Sequence, residues 1–221
     1  WAMNTIMPAI VCVHYAGCRS MVAFSTGFVY PLVEVSQGGG SETDAPSPVG
    51  EYAQSCLGRE RVFEYYSRRT QTPVCLLRLN YALDLRYGVL HDLAATIWEE
   101  RAVTRNVGFF NAIWQGDANN QALLALEHAG TPARSINLSG PETHSVSQVA
   151  LELGLLLDKP VRFAGNTGTL SYLINASRTH ARFGYPRVPF DKVLAWTAEW
   201  IKRGGRSLGK PTHFEVADGK F

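Results

Sequence analysis

An excess of charge of either sign is missing from this 221-residue sequence: Lys plus Arg total 21, Asp plus Glu total 19, and the net charge is +2. A dedicated nucleic-acid binder carries a strong basic surplus, so near-neutrality excludes that class. No apolar run approaches the ~18 residues of a membrane span, which excludes a spanning helix. Cysteine is sparse and shows no ligand pattern: Cys12, Cys18, Cys56 and Cys75 form no C-x-x-C pair and no zinc spacing. They read as buried thiols of a reducing compartment, and a cytoplasmic location is expected. Asp117, His144 and His213 also lack ligand spacing and are expected to hydrogen-bond or cap helices rather than hold a metal. Asn137-Leu138-Ser139 and Asn175-Ala176-Ser177 fit the glycosylation pattern, but no signal segment accompanies them. Repeats, heptads and low-complexity stretches are absent too.

What remains is the material of a packed domain, with 46% hydrophobic and 18% charged residues. A chain of this length buries roughly 70% of the surface its unfolded form exposes, so a full core is available. The first residues, Trp1 to Ile10, carry no initiator Met and read as the middle of a helix, which leads to the expectation that a longer protein has lost its start.

Arg19 to Ser25 is a short apolar run ending in small polar residues, the mark of a buried parallel strand. Residues 37–50 are rich in Gly, Ser and Pro and form a loop. Glu51 to Arg69 predicts a strong helix with Tyr52, Cys56, Phe63 and Tyr66 on one side. Arg59, Arg61, Arg68 and Arg69, interleaved with Glu60 and Glu64, read as its solvated face. Pro73 to Leu79 predicts a second buried strand, so strand, helix and strand make a crossover unit of a parallel sheet. Further on, helices are expected over 91–101, 117–129, 146–157 and 188–203. An extended segment is expected at 111–114, and strands over 135–139 and at 161–163. Trp98, Trp114, Trp196 and Trp200 read as core or interface anchors.

Three segments carry the chemistry. Ser25-Thr26-Gly27 ends one strand, Tyr52 opens the next helix, and Arg78-Leu79-Asn80 ends the following strand. Ligands of open parallel sheets bind at the carboxyl ends of the strands, which would gather Ser25, Thr26, Tyr52 and Asn80 at one edge. A Tyr hydroxyl beside a Ser or Thr hydroxyl is a plausible proton-transfer pair.

Ser25-Thr26-Gly27-Phe28-Val29-Tyr30, then Tyr52 on a helix, then Leu76-Leu77-Arg78-Leu79-Asn80 together resemble the NAD-dependent epimerase/dehydratase family, the extended short-chain dehydrogenases/reductases. Trp114 to Asp117, the strand around Ser135 to Gly140 and the helix opening at Val146 are similar to its substrate-side half. The resemblance implies an α/β fold: a partial Rossmann-type, doubly wound parallel sheet with helices on both faces and a smaller C-terminal substrate-binding region. Residues 1–88 would form the later part of the Rossmann-type domain, and residues 89–221 a mixed region with the substrate lobe and remaining sheet elements. It implies Thr26 and Tyr52 as catalytic residues and Asn4, Ser25, Tyr52, Cys56 and Leu79 as neighbours of the cofactor. Thr26 and Asn80 would face the substrate. It also implies NAD or NADP as cofactor, a sugar or nucleotide sugar as substrate, oxidoreductase or isomerase chemistry, and a homodimer through the helix over 51–69.

Two departures from the family pattern stand out. The family reads Tyr-x-x-x-Lys, whereas this helix reads Tyr52-Ala-Gln-Ser-Cys56; without the lysine, a phenol near its reference pKa of about 10 rarely ionises at pH 7. Arg59, two turns from Tyr52 on a similar face, is the basic residue at hand. The Gly-rich turn that cradles a dinucleotide pyrophosphate is also missing, since no G-x-G-x-x-G follows a strand. These departures leave a second reading open, that of a non-catalytic family member acting as a sugar-binding or protein-interaction module.

Overall fold

Alternation of side chains along three parallel strands sets the layers of this molecule. In the computed structural model, which describes residues 1–210 and 212–216, β1 (Met21–Thr26), β2 (Val74–Leu79) and β3 (Arg134–Leu138) form one sheet in the order β1-β2-β3. Both pairings are parallel, with Thr26 opposite Leu79 and Leu79 opposite Leu138, so the carboxyl ends of all three strands are level.

The chain opens with a π-type turn at Ala2–Ile6 that runs into helix α1 (Met7–His14), then β1, then the long helix α2 (Gly50–Thr70). Helix α2 stops where Gln71 turns left-handed at φ 54°, and Pro73, which cannot extend a helix, leads into β2. Ala23, Val74 and Leu76 face Phe63 of α2 and Cys12 of α1. On the opposite face Cys75, Leu77, Ile136 and Leu138 pack on Ala118 of α4 (Gln115–Leu124) and on Ala125 just beyond it. Helices therefore cover both faces, and the period-2 pattern decides which side chain meets which helix.

A second core lies beside the sheet. Helices α3 (Val89–Trp98), α5 (Val146–Leu157) and α7 (Phe190–Lys202) bury Leu90, Leu93, Leu153, Val193 and Leu194 against one another. Helix α5 starts where the Ser145 hydroxyl accepts from the Gln148 amide and stops at Asp158 in the left-handed region. Two-residue strands tie the lobes together: Val33–Glu34 pairs with Leu170–Ser171, and Ala82–Leu83 with Ile113–Trp114. After α7 the chain returns across α3, where the Thr212 amide donates to Asp92 Oδ2 at 2.7 Å and the Leu208 amide to the Arg86 carbonyl at 3.0 Å.

The strands expected at 19–25, 73–79 and 135–139 and the helices expected at 51–69 and 146–157 are all present within a residue or two. Helix α3 begins at Val89 rather than His91, and α4 gives way after Leu124 to a 3₁₀ turn ending at His128. Helix α6 (Ser177–Phe183) was not expected; its seven residues follow Asn175, whose side-chain oxygen accepts from the Ser177 amide at 2.9 Å. No helix among the described residues is long and apolar enough to cross a membrane.

Candidate active site

A cleft of about 380 Å³ opens at the carboxyl ends of β1 and β2. Ser25, Thr26, Tyr52, Leu79 and Asn80 line it, so the structure brings five of the sequence-derived residues to one place. The Thr26 hydroxyl accepts from the Phe28 amide at 3.2 Å and is also hydrogen-bonded to the Tyr52 phenol. Tyr52 sits in the first turn of α2, which crosses above the end of β1; that crossing is what makes residues 26 apart in sequence neighbours.

Burial pushes the Tyr52 phenol up to about 12, with the neighbouring Cys56 thiol acting in the same direction and Arg59 and Thr26 acting against it. The residue is 41% exposed overall, yet burial is the largest influence on its phenol. Tyr52 is therefore a neutral phenol near pH 7, a proton donor first. Cys56 is completely buried one turn further on, and burial pushes its thiol up as well.

Asn4 and Cys56 do not line the cleft. Asn4, in the π-type turn, donates from Nδ2 to Ser55 Oγ at 2.9 Å and accepts from Arg59 through Oδ1. Ser25, on the opposite pleat from Thr26, turns its hydroxyl to Glu60 Oε1 at 2.6 Å. Asn80 is 1% exposed and donates from Nδ2 to Asn111 Oδ1 at 2.7 Å and to the Tyr172 carbonyl at 3.0 Å, while its Oδ1 has no partner among the described residues.

Glu60 corrects the reading of α2 as carrying a solvated charged face at this position. Glu60 is 1% exposed and receives Arg78 in a two-pronged ion pair, Nε to Oε1 at 2.9 Å and Nη2 to Oε2 at 2.8 Å. Arg78 Nη1 donates to the Tyr30 hydroxyl at 2.7 Å, and that hydroxyl donates to Asn137 Oδ1 at 2.9 Å. Ser25, Arg78 and Asn137 are cross-strand neighbours on one face of the sheet, so the network runs as a polar row beneath the cleft. Satisfied buried charges of this kind hold geometry, because losing either partner strands the other in the interior. Arg61, by contrast, lies on the surface with Glu64, as expected.

The sequence reading missed the aromatic wall. Phe28 lies with its ring centroid 6.2 Å from Tyr52, 5.6 Å from Tyr81 and 4.4 Å from Tyr172. Tyr81 holds a left-handed backbone at φ 42°, and burial drives its phenol upward. The signal available in the sequence was the position of Tyr81 directly after Asn80 at a strand end; the positive φ that marks a constrained site appears only in the structure. Gly27 is buried behind Asn80: a Cβ there would lie 2.7 Å from Ile174 Cγ2 and 3.0 Å from Asn80 Oδ1.

Asp117 accepts from the Val188 amide at 2.9 Å, and His144 stacks on Phe190 with centroids 3.5 Å apart, so both serve packing away from the cleft. His180, near β3, uses its Nε2 on the Ser139 carbonyl at 3.0 Å.

Comparison of the sequence with family profiles and with curated proteins finds no match. Solved structures do match. A dTDP-glucose 4,6-dehydratase from Bacillus anthracis, in complex with NAD, superposes with a TM-score of 0.77 and 17% identity over 90% of this chain and 68% of its own. A UDP-glucuronic acid 4-epimerase from Bacillus cereus, in complex with UDP-glucuronic acid and NAD, gives 0.78 and 19% over 90% and 67%. A UDP-glucose 4-epimerase from Thermotoga maritima, with UDP-glucose, gives 0.76 and 18% over 92% and 70%. The chain thus spans about two thirds of the length of each. With its level parallel strands and helices on both faces, this protein has a partial Rossmann-type fold, similar to that of these solved dehydratase and epimerase structures.

Proposed function

We propose that the cleft carries out NAD(P)-dependent chemistry on a sugar or nucleotide sugar, of the epimerase, dehydratase or reductase kind. The observation that carries this reading is the hydrogen bond between Thr26 and Tyr52 at the carboxyl ends of parallel strands. The cleft residues fit the nicotinamide and sugar end of such a complex: the glycine at position 27 leaves room for the Asn80 side chain, and Asn80 Oδ1 is an unspent acceptor beside the cleft. Nothing in the sequence provides a Gly-rich turn for the pyrophosphate. A bound nicotinamide would supply the hydride acceptor or donor.

Thr26 orients the reacting hydroxyl or carbonyl, and Tyr52 moves the proton at that oxygen. As a neutral phenol, Tyr52 donates readily to a carbonyl oxygen that gains negative charge; as a base it needs positive charge nearby. Phe28 and Tyr81 line the cleft as an aromatic wall on which a sugar ring can lie, and the buried Tyr172 backs Phe28. Ser25 and Cys56 act behind the site, one holding Glu60 and the other packing under Tyr52. The pairing of α2 with a second copy of the chain is part of the same reading: Tyr65 is exposed on α2, and Met3, Ile6 and Ile10 are exposed on the N-terminal helix beside it.

A second reading rests on Cys56. A buried thiol where the family resemblance places a lysine favours a module that binds a sugar without turning it over. Incubation of the protein with NAD and UDP- or dTDP-hexoses, followed by NMR of the sugar, separates the two. Inversion, dehydration or oxidation that disappears in Tyr52→Phe supports the enzyme; sugar binding with an unchanged sugar supports the module.

A further inference from the structure

The chain that follows α7 supplies one wall of the candidate cleft from outside the sheet. Thr212 lines the cleft together with Thr26, Tyr52 and Tyr87, although it lies close to the far end of the sequence. One carboxylate sets its place. Asp92 Oδ2 on α3 accepts from the Thr212 amide at 2.7 Å and from the Thr212 hydroxyl at 2.6 Å. The same hydroxyl accepts from the Phe214 amide at 3.4 Å. Among the described residues from 206 onward Phe214 alone is buried; it sits in the second core, on which Tyr81 of the aromatic wall also packs.

Elsewhere this segment is held lightly. Arg206 to Lys210 are exposed, and their ties to the rest of the fold are the Leu208 amide on the Arg86 carbonyl at 3.0 Å and Ser207 Oγ beside His91 Nε2 at 3.0 Å. Gly204 and Gly209 hold φ values of 66° and 64° with open space around them, so the backbone can swing there without displacing a side chain. A second cavity, of about 410 Å³, is bordered by Asp92, Thr96 and Val103 and by Ser207, Lys210 and Phe214 of the segment itself. A segment with few buried apolar contacts and cavities beside it belongs to the low-stability end of a fold, where opening is local.

We propose that this segment is a strap that closes the candidate cleft, with Thr212 as the residue that limits what the cleft admits and Asp92 as the positioning residue that latches it. The inference rests on the reading of that cleft as the ligand site, and it requires no particular proton-transfer chemistry there. The latch has the strength and the simplicity that a reversible closure needs. Two donors of one residue converge on a single charged oxygen, and hydrogen bonds to a charged acceptor are stronger than neutral ones. Loss of either donor therefore weakens the closure without touching the sheet, the aromatic wall or the Thr26 and Tyr52 pair.

The test places a thiol in the cleft as Ala82→Cys, in a Cys18→Ser background, and follows its reaction with fluorescein maleimide. Cys12, Cys56 and Cys75 are buried and gauge global opening. With the strap latched, the cleft thiol is expected to react ~10-fold more slowly than in the urea-unfolded chain, because only the open fraction reacts. Thr212→Val, which loses the hydroxyl donor, and Asp92→Ala, which loses the acceptor, are each expected to raise the rate about tenfold. Thr212→Ser keeps both donors and is expected to keep the slow rate. The proposal is overturned by full reactivity in the latched protein, by rates that Thr212→Val and Asp92→Ala leave unchanged, or by an equal rise with Thr212→Ser. A parallel rise at Cys75 also overturns it, since the whole fold rather than the strap would then be opening. Because the labelling needs neither cofactor nor sugar, absence of turnover would defeat the proposed function while leaving this readout standing.

Discussion

Arg78 and Glu60 meet in the interior directly behind the candidate site, joined by two parallel hydrogen bonds of 2.9 and 2.8 Å. Their side chains are 6% and 1% exposed, so solvent screens neither charge. Through Ser25 the pair fixes the end of β1, and through Tyr30 and Asn137 it reaches β3. Glu60→Gln and Arg78→Met are each expected to cost about 3–5 kcal/mol, since each leaves an uncompensated charge or an unmatched partner behind. The Glu60→Leu, Arg78→Met double variant is expected to recover much of that loss. Urea denaturation of the four proteins checks both statements.

Tyr52 and Thr26 give a second expectation. Tyr52→Phe removes the transferable proton and is expected to lower kcat by ~10²–10⁴-fold while changing nucleotide-sugar affinity little. Because the phenol is pushed up to about 12, its base form is a small fraction at neutral pH. In the direction of sugar oxidation, kcat/KM is therefore expected to climb steadily between pH 7 and 10. A plateau already reached near pH 7 would show a phenol far more acidic than this environment allows.

His144 sets an acid limit on stability. It stacks on Phe190 and lies near Phe110, and burial pushes its imidazole down from 6.5 to about 4. Glu142 stands 3.6 Å away and would favour the charged ring, but that carboxylate is 62% exposed and screened, so burial prevails. A base with a depressed folded pKa contributes stability that is complete above its unfolded value and is lost as pH falls. The loss is expected between pH 6.5 and 4 and on the order of 3 kcal/mol. Thermal melts of wild type and His144→Gln across that range check it: the wild type slope should be steeper.

Gly27 tests the packing behind Asn80, which lines the cleft. A methyl group at position 27 would press on Ile174 and Asn80, so Gly27→Ala is expected to cost about 1–3 kcal/mol and to weaken ligand binding. Gly38→Ala serves as the comparison: open space surrounds a Cβ there, and its penalty comes from a backbone φ of 74° alone. Paired melts and ligand titrations of the two variants separate a steric effect in the cleft from a loop effect.

The elements that the sequence made legible are those with strong local periodicity. The strand ending at Thr26, the helix opening near Tyr52 and the strand ending at Leu79 could be read because each is long enough to show its own pattern. Their order alone then brought Thr26 to Tyr52. Glu60 could not be placed, because a glutamate among arginines on a helix looks solvated until the strand that supplies Arg78 is packed against it. Asn4 and Arg59 meet through a single hydrogen bond between separate segments, and no spacing within α2 reveals it. Phe28 and Tyr81 become a wall, backed by Tyr172, only when a strand end, a turn and the segment after a distant two-residue strand converge. Helix α6 and the two-residue strands are too short to carry a period at all.

Isothermal titration of NAD and NADP into the protein, with Gly27→Ala alongside, tests the central claim most directly. The account predicts one binding event per chain for at least one of the two cofactors, weakened in Gly27→Ala. Absence of binding heat with both cofactors, or binding indifferent to a methyl group at position 27, would contradict the assignment of this cleft to a nicotinamide cofactor.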